Sequence, residues 1–370
     1  SVELAYKVGG ELTAAFDDQG NRLLLFNLAA NELVQISMDG AGHLDPKTLT
    51  PVNIGKFRLQ SAAGMDINEQ TNTLSILDNK AAQIVQIQLT PQLSNAVEKV
   101  RLSLAPKEAN RLNGLAIHPQ TQRFMTLNVK SKQIVEFDAN GQQTNAYDFS
   151  VLDPNNPTQL VIAPSGDLTD DPNTLHLYIS DSREVVTSAD YNDGVETEAF
   201  NRLYLPLISQ ATSNEEEITV DAAALKHDRY GELIEVALTS PTFALQAASL
   251  NTLPLRLVQT IATYGFTPPS PDPSGLLFDP TTQRLRTTDA EIEEMAGLFA
   301  GKNVFNISLP NVLADTASTI SYTSEPTDIT YNPANGHYFI SDDDWYKVYE
   351  VSKGVDGILG SSDDITTFFS

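Results

Sequence analysis

The chain has 370 residues, with 48 Asp and Glu against 23 Lys and Arg, a formal net charge of −25 and a pI near 4.4. Charge of this sign repels phosphates and anionic headgroups, and no Lys/Arg run interrupts it, so nucleic acid is excluded as a partner through a basic surface. The absence of Cys removes disulfides and thiolate chemistry, and no apolar run of 18 residues offers membrane insertion.

In chain order, VELAYKV (2–8) reads as an edge strand preceding a repeated phrase. The phrase is an apolar-alternating strand, a polar turn, a second strand and a closing Asp or Asn. Its copies are TAAFDDQGNRLLLFN (13–27), GMDINEQTNTLSILD (64–78), GLAIHPQTQRFMTLN (114–128), GDLTDDPNTLHLYISD (166–181), GLLFDPTTQRLRTTD (275–289) and DITYNPANGHYFISD (328–342). The steps between copies are 51, 50, 52, 109 and 53 residues. Spacing this regular means one supersecondary unit per step. Third strands follow as QIVQIQL (83–89), QIVEFDA (133–139), NRLYLPLI (201–208) and YKVYEVS (346–352), and a more polar fourth strand leads to the next copy, as in LRLVQTIATYGF (255–266). Four antiparallel strands per unit describe a propeller blade. The sequence therefore predicts an all-β, six-bladed β-propeller over residues 1–370, with seven blades as the alternative. The doubled interval is assigned to an insertion in the fourth blade, about 210–254, where SNEEEITVDAAALKHDRYGELIEVAL reads as an acidic loop and a helix-capable stretch. The last segment, DITTFFS, and VELAYKV compete for the outer place of the closing blade.

In such a blade the loop after the second strand shares a face with the start of the inner strand, at the channel mouth. Asn27, Asp78, Asn128, Asp181, Asp289 and Asp342 close the six phrases, and each is expected there, capping its own turn through backbone N–H groups. Further acids crowd the same loop in three consecutive blades. They are Asp190 and Asp193 beside Asp181, Glu291 with Glu293 and Glu294 beside Asp289, and Asp343 with Asp344 beside Asp342. A hard cation shared among several oxygens relieves their repulsion, and the scarcity of nitrogen and sulfur donors selects calcium over zinc. A second calcium site is expected on the opposite face, in VDGILGSSDDITTF. There Gly357 and Gly360 permit a tight curl that returns Asp356, Asp363 and Asp364 to one point.

The segments LVQTIATYGFTPPSPDPSGLLFDP, DAEIEEM and SEPTDITYNPANGHYFISDDD, followed by VYEVSKGVDGILGSSDDITTFF, resemble blades of secreted bacterial calcium-binding β-propellers. The relevant groups are NHL, gluconolactonase/SMP-30-like and SdiA-regulated-like. The resemblance covers 255–370 well and 1–210 as a generic propeller repeat. It implies calcium as the bound ion, an extracellular or periplasmic location, and a module cut from a longer surface protein. In the lactonase branch, channel residues on the inner strands hold a catalytic ion. Of the residues preceding the phrases here, Leu12, Ala63, Asn113, Ser165, Ser274 and Thr327, Asn113 matches such a ligand.

There is no G-x-S-x-G, H-E-x-x-H or P-loop, and the five His are scattered. Asn113 and Ser274 line the expected channel, and Trp345, the only Trp, stands at its mouth, where it either stacks on a ligand or packs between blades. The sequence reading is a calcium-binding extracellular propeller acting as a binding or scaffold module toward an unidentified ligand or protein partner. The alternative is a divalent-metal-dependent hydrolase of an ester, lactone or phosphoester, its ion held by Asp289, Glu291 and Asp342.

Overall fold

The computed structural model describes residues 3–4, 12–27, 30, 32–39, 44–104, 112–152, 154, 156–171, 173–182, 231–238, 252–295, 297–309, 311–333, 335–342, 345 and 347–369. Five of the six phrases fold as a strand pair because alternate side chains are apolar and enter the seams between blades, where Leu23, Leu24, Leu25, Leu74, Ile76 and Ile340 are fully buried. The turn inside the phrase has a fixed shape. Its ninth residue adopts a left-handed conformation in five copies, at Asn21, Asn72, Gln122, Gln283 and Gly336. Phrase-opening glycines answer a second demand, close approach of neighbouring inner strands. A Cβ on Gly64 would stand 2.6 Å from the Leu115 nitrogen, and one on Gly275 would stand 2.8 Å from the Asp328 Cα.

The result is six blades of four antiparallel strands in a ring, a six-bladed β-propeller. Blade one comprises Leu12–Asp17, Arg22–Asn27, Glu32–Ser37 and Thr50–Asn53, and blade two Gly64–Asn68, Thr73–Asp78, Gln83–Gln88 and Val97–Ser103. Blade three runs through Leu112–Ile117, Phe124–Asn128, Gln133–Phe137 and Gln143–Asp148. Blade four holds Asn156–Pro164, Leu175–Ser182, Glu232–Leu238 and Thr252–Ile261. Blade five has Pro273–Asp279, Arg284–Asp289, Val304–Ser308 and Val312–Ala317, and blade six Pro326–Tyr331, Tyr338–Asp342, Lys347–Ser352 and Ile365–Phe369. The two contenders for the closing edge both find a place. Ile365–Phe369 is the fourth strand of blade six, and Glu3–Leu4 adds a fifth, parallel to it, with Glu3 opposite Phe368. Ring closure is reinforced from within, where Glu350 Oε2 of blade six accepts the Leu44 N–H of blade one at 2.6 Å.

Blade four departs from the sequence expectation twice. Its inner strand is Asn156–Pro164, upstream of the phrase opening at Gly166, because DLTDDPNT lengthens the turn. Gln159 consequently pairs with Ser180, as Asp328 pairs with Ser341 in blade six. Thr158, not Ser165, is thus the residue preceding the channel position in this blade. Its third strand is Glu232–Leu238, inside the 210–254 span set apart as insertion and read there as helix-capable. Strand pairing prevails because Leu233, Ile234 and Val236 fill the adjoining seams, while Glu235 meets His176 Nδ1 at 2.6 Å. The stretch 201–208, expected as that strand, lies outside the described residues, as does 183–230 as a whole.

Candidate functional site

The six phrase-closing residues occupy one position, the last or next-to-last residue of each second strand, and all are buried. The capping expectation describes their geometry. Asn27 Oδ1 accepts from Ala30 N at 3.2 Å, Asp78 Oδ1 from Ala81 N at 3.1 Å, Asn128 Oδ1 from Ser131 N at 3.1 Å, and Asp342 Oδ1 from Trp345 N at 2.7 Å. Where the residue is Asp, a carboxylate oxygen also ties down the segment entering the same blade. Asp78 Oδ2 takes the Gln60 N–H at 2.8 Å, and Asp181 Oδ1 takes that of Asn156 at 2.6 Å. Asp289 Oδ2 takes the Asp272 N–H at 2.9 Å and the Ser270 hydroxyl at 2.7 Å, and Asp342 Oδ2 takes the Thr323 hydroxyl. Three of the expected cation ligands, Asp181, Asp289 and Asp342, are in this way anchors of their own blades.

Blade five leaves a remainder. Glu293 Oε2 is buried at the mouth without a hydrogen-bond partner among the described residues, and Asp289 Oδ1, also buried, has only the weak approach of the Glu291 and Ile292 N–H groups. Burial pushes Asp289 up to about 6, and burial followed by the charges of Glu325, Asp289 and Glu294 pushes Glu293 up to about 8. Glu291 precedes the single 3-10 turn Ile292–Glu294 and is half-buried.

Two channel acids were not singled out from the sequence. Asp66 and Asp328 sit on inner strands, at phrase positions where most other blades carry small or apolar residues such as Gly64, Ala116, Gly275 and Leu277, blade four having Gln159 at the Asp328 position. That contrast is the signal that identifies them. Asp66 accepts from Ile67 N at 2.8 Å and, across the blade boundary, from Ile117 N at 2.7 Å. Asp328 accepts from Ile329 N at 2.7 Å. By register Asp328 lies at the mouth end of its strand and Asp66 two residues further in. Each keeps some accessible surface while being enclosed by protein, as side chains in a narrow channel are. Burial raises Asp66 to about 7 and Asp328 to about 6 despite the backbone bonds that oppose it.

The three expected channel-ligand residues separate. Asn113 is on an inner strand, but its amide donates to Thr158 O at 3.2 Å and so stitches blade three to blade four. Ser274 donates to Asp272 O at 3.0 Å, and its carbonyl accepts from the hydroxyls of Thr158 and Ser180 at 3.2 Å each. Trp345 does not pack between blades. It is 59% exposed at the mouth, with Lys347 Nζ 5.5 Å from its ring centroid. On the opposite face the blade-six hairpin uses its three acids within its own turn. Asp364 accepts from Gly360 N at 2.6 Å and Gly354 N at 3.3 Å, while Ser361 donates to Asp363 at 2.5 Å and to Asp356 at 3.3 Å. Each has at least one carboxylate oxygen engaged by the turn. Among the described residues no group of three His, Asp or Glu is placed to hold a metal ion, and Asp190, Asp193 and Asp343 lie outside them. Among those residues, too, no helix is long and apolar enough to cross a membrane.

Ring, blade count and inner-strand channel define the class as a six-bladed β-propeller. No protein-family profile and no curated protein sequence matches the chain. Among solved structures it is similar to a candidate 6-phosphogluconolactonase from Bacteroides uniformis, at 11% identity and a TM-score of 0.50, over 96% of this chain and 87% of that one. It is similar also to the Cps50 (Swd1) β-propeller domain of Myceliophteria thermophila, at 11% identity and a TM-score of 0.50, over 94% and 85%. A virginiamycin B lyase from Staphylococcus aureus aligns at 11% identity with a TM-score of 0.47, over 97% and 87%. Likeness at this identity is a likeness of fold.

Proposed function

We propose that the chain is a binding module that takes cations, calcium first among them, at the acidic mouth of its channel. The observation that carries this reading is the unpartnered, buried Glu293 Oε2 beside the charges of Asp289, Glu294 and Glu325, with Asp289 Oδ1 held only weakly by backbone N–H groups. Enclosed carboxylates repel one another until a proton or a cation joins them, and both neutralise the same charge. Cation binding at neutral pH is therefore coupled to proton release from Glu293. An extracellular or periplasmic setting supplies calcium freely, and the bound ion would present the mouth, with exposed Trp345 at its rim, to a ligand or protein partner. The test is calorimetric titration with calcium chloride. Glu293→Gln is expected to weaken binding at least tenfold, and unchanged affinity in that variant sinks the assignment of the mouth.

Asp66 favours a second reading. A channel carboxylate with a proton affinity near neutrality has what a general acid–base needs, consistent with hydrolysis of an ester or lactone. Turnover of a chromogenic ester or lactone panel that disappears in Asp66→Asn would support it. Equal rates in both proteins would remove it.

A further inference from the structure

The seam between blades five and six contains a buried cation with unfilled donors, its carboxylate neighbours among the described residues, Asp279 and Asp315, acting on it through charge and not through hydrogen bonds to its Nε or Nη1. Arg286, on the second strand of blade five, is 5% exposed, and its Nε and Nη1 are buried with no hydrogen-bond acceptor among the described residues. Its guanidinium lies over the Tyr338 ring of blade six, 4.1 Å from the centroid, and Lys353 Nζ approaches the same ring at 5.5 Å. The nearby carboxylates are committed elsewhere. Asp279 accepts from Tyr338 Oη at 3.0 Å and from the N–H groups of Thr281 and Thr282 at 2.9 and 3.2 Å. Asp315 accepts from Arg284 Nη1 at 2.7 Å and from the Asn306 amide. A second donor, Tyr322 Oη, is likewise buried and unpartnered, and it feels the charge of Arg286.

A ring face attracts a guanidinium but accepts no in-plane N–H bonds, so the cation–π contact leaves the donors unsatisfied. Leaving the N–H donors of a buried charged group without acceptors is costly even where carboxylates stand nearby. Asn306 Oδ1, a buried acceptor on the adjoining strand, could take one N–H after a side-chain adjustment, yet a neutral carbonyl does not neutralise the charge. We propose that this seam binds a small monovalent anion, a halide, held by Arg286 with Lys353 nearby. The near-complete burial of Arg286 selects a small ion over a phosphate or a carboxylate ligand. The site is separate from the acidic mouth, and its occupancy would lock blade five to blade six within a protein whose overall charge repels anions.

The experiment is thermal unfolding in sodium chloride or bromide against sodium gluconate at equal ionic strength, which cancels the general screening expected for net charge −25. The wild type should melt about 3 °C higher in 0.5 M halide than in matched gluconate. Arg286→Met should lose that halide-specific difference, whereas Asn306→Ala should retain it. A wild-type response identical in halide and gluconate overturns the proposal, as does a halide response surviving in Arg286→Met or lost in Asn306→Ala. Should Arg286→Met fail to fold, bromide-soaked crystals of the wild type decide. An anomalous peak within hydrogen-bonding range of Arg286 supports the site, and its absence contradicts it.

Discussion

Two buried guanidiniums, both on second strands and both at blade seams, are treated in opposite ways. Arg22, 2% exposed, has Asp17 Oδ2 at 2.8 Å, Gln35 Oε1 at 2.8 Å and, across the seam, the Pro91 carbonyl of blade two at 3.1 Å. Gln35 Oε1 also accepts the Leu93 N–H at 3.0 Å, so the same cluster fastens blade one to blade two. Arg286 has a ring beneath it and, among the described residues, no acceptor for its Nε or Nη1. The first seam is complete in the chain itself, and the second has donor capacity in excess of acceptors. The comparison shows that burial alone does not reveal whether a charge serves the fold. The partner inventory does, and only a fully partnered group can be assigned to structure without remainder.

That contrast can be broken by mutation. Arg22→Met leaves the Asp17 carboxylate buried without its cation and should cost about 3–5 kcal/mol in denaturant unfolding, whereas Arg286→Met in low halide should cost less than about 1 kcal/mol or stabilise the protein. Similar losses at both positions would erase the distinction between the seams. Glu350→Ala removes the acceptor of both Leu44 N–H and His337 Nδ1 at the ring closure. It should cost about 2–4 kcal/mol, with increased proteolysis at the blade-one edge as a second readout. Asp66 sharpens the account through pH. Its folded pKa of about 7 exceeds the unperturbed 3.8, so between these values the folded state holds more protons than the unfolded chain. Its contribution is therefore fully present below pH 4 and is lost as pH rises toward 7. Asp66→Asn should flatten this slope and be the more stable protein at pH 8, by about 1–3 kcal/mol. The smallest effect belongs to Trp345→Ala. With the ring 59% exposed, stability should change by less than about 0.5 kcal/mol, and only ligand capture at the mouth should respond.

The blade count was legible because the phrase is a local object. Its alternation, its turn with a left-handed ninth residue and its closing Asx all lie within fifteen residues. Blade four was misread at both ends for the same reason. A turn between Pro164 and Leu175 longer than that of any other blade hid the inner strand, and GELIEVAL carries no phrase to mark it as a third strand. The mouth acids were found by abundance, but abundance does not distinguish Asp342, whose oxygens are engaged by the backbone and a hydroxyl around them, from Glu293, which retains a free one. Asp66 and Asp328 stood inside the repeat and became visible only once the register showed what their counterparts in other blades are. Arg286 carries no sequence signal at all, since the lack of a partner is a property of packing.

Calcium titration at pH 7.0, run by calorimetry in two buffers of different ionisation enthalpy, tests the central claim most directly. The mouth as described predicts saturable binding with a buffer-dependent heat that corresponds to release of about one proton per ion, because Glu293 with a pKa of about 8 is largely protonated before the cation arrives. Heats of dilution alone, or binding with no proton released, would contradict it.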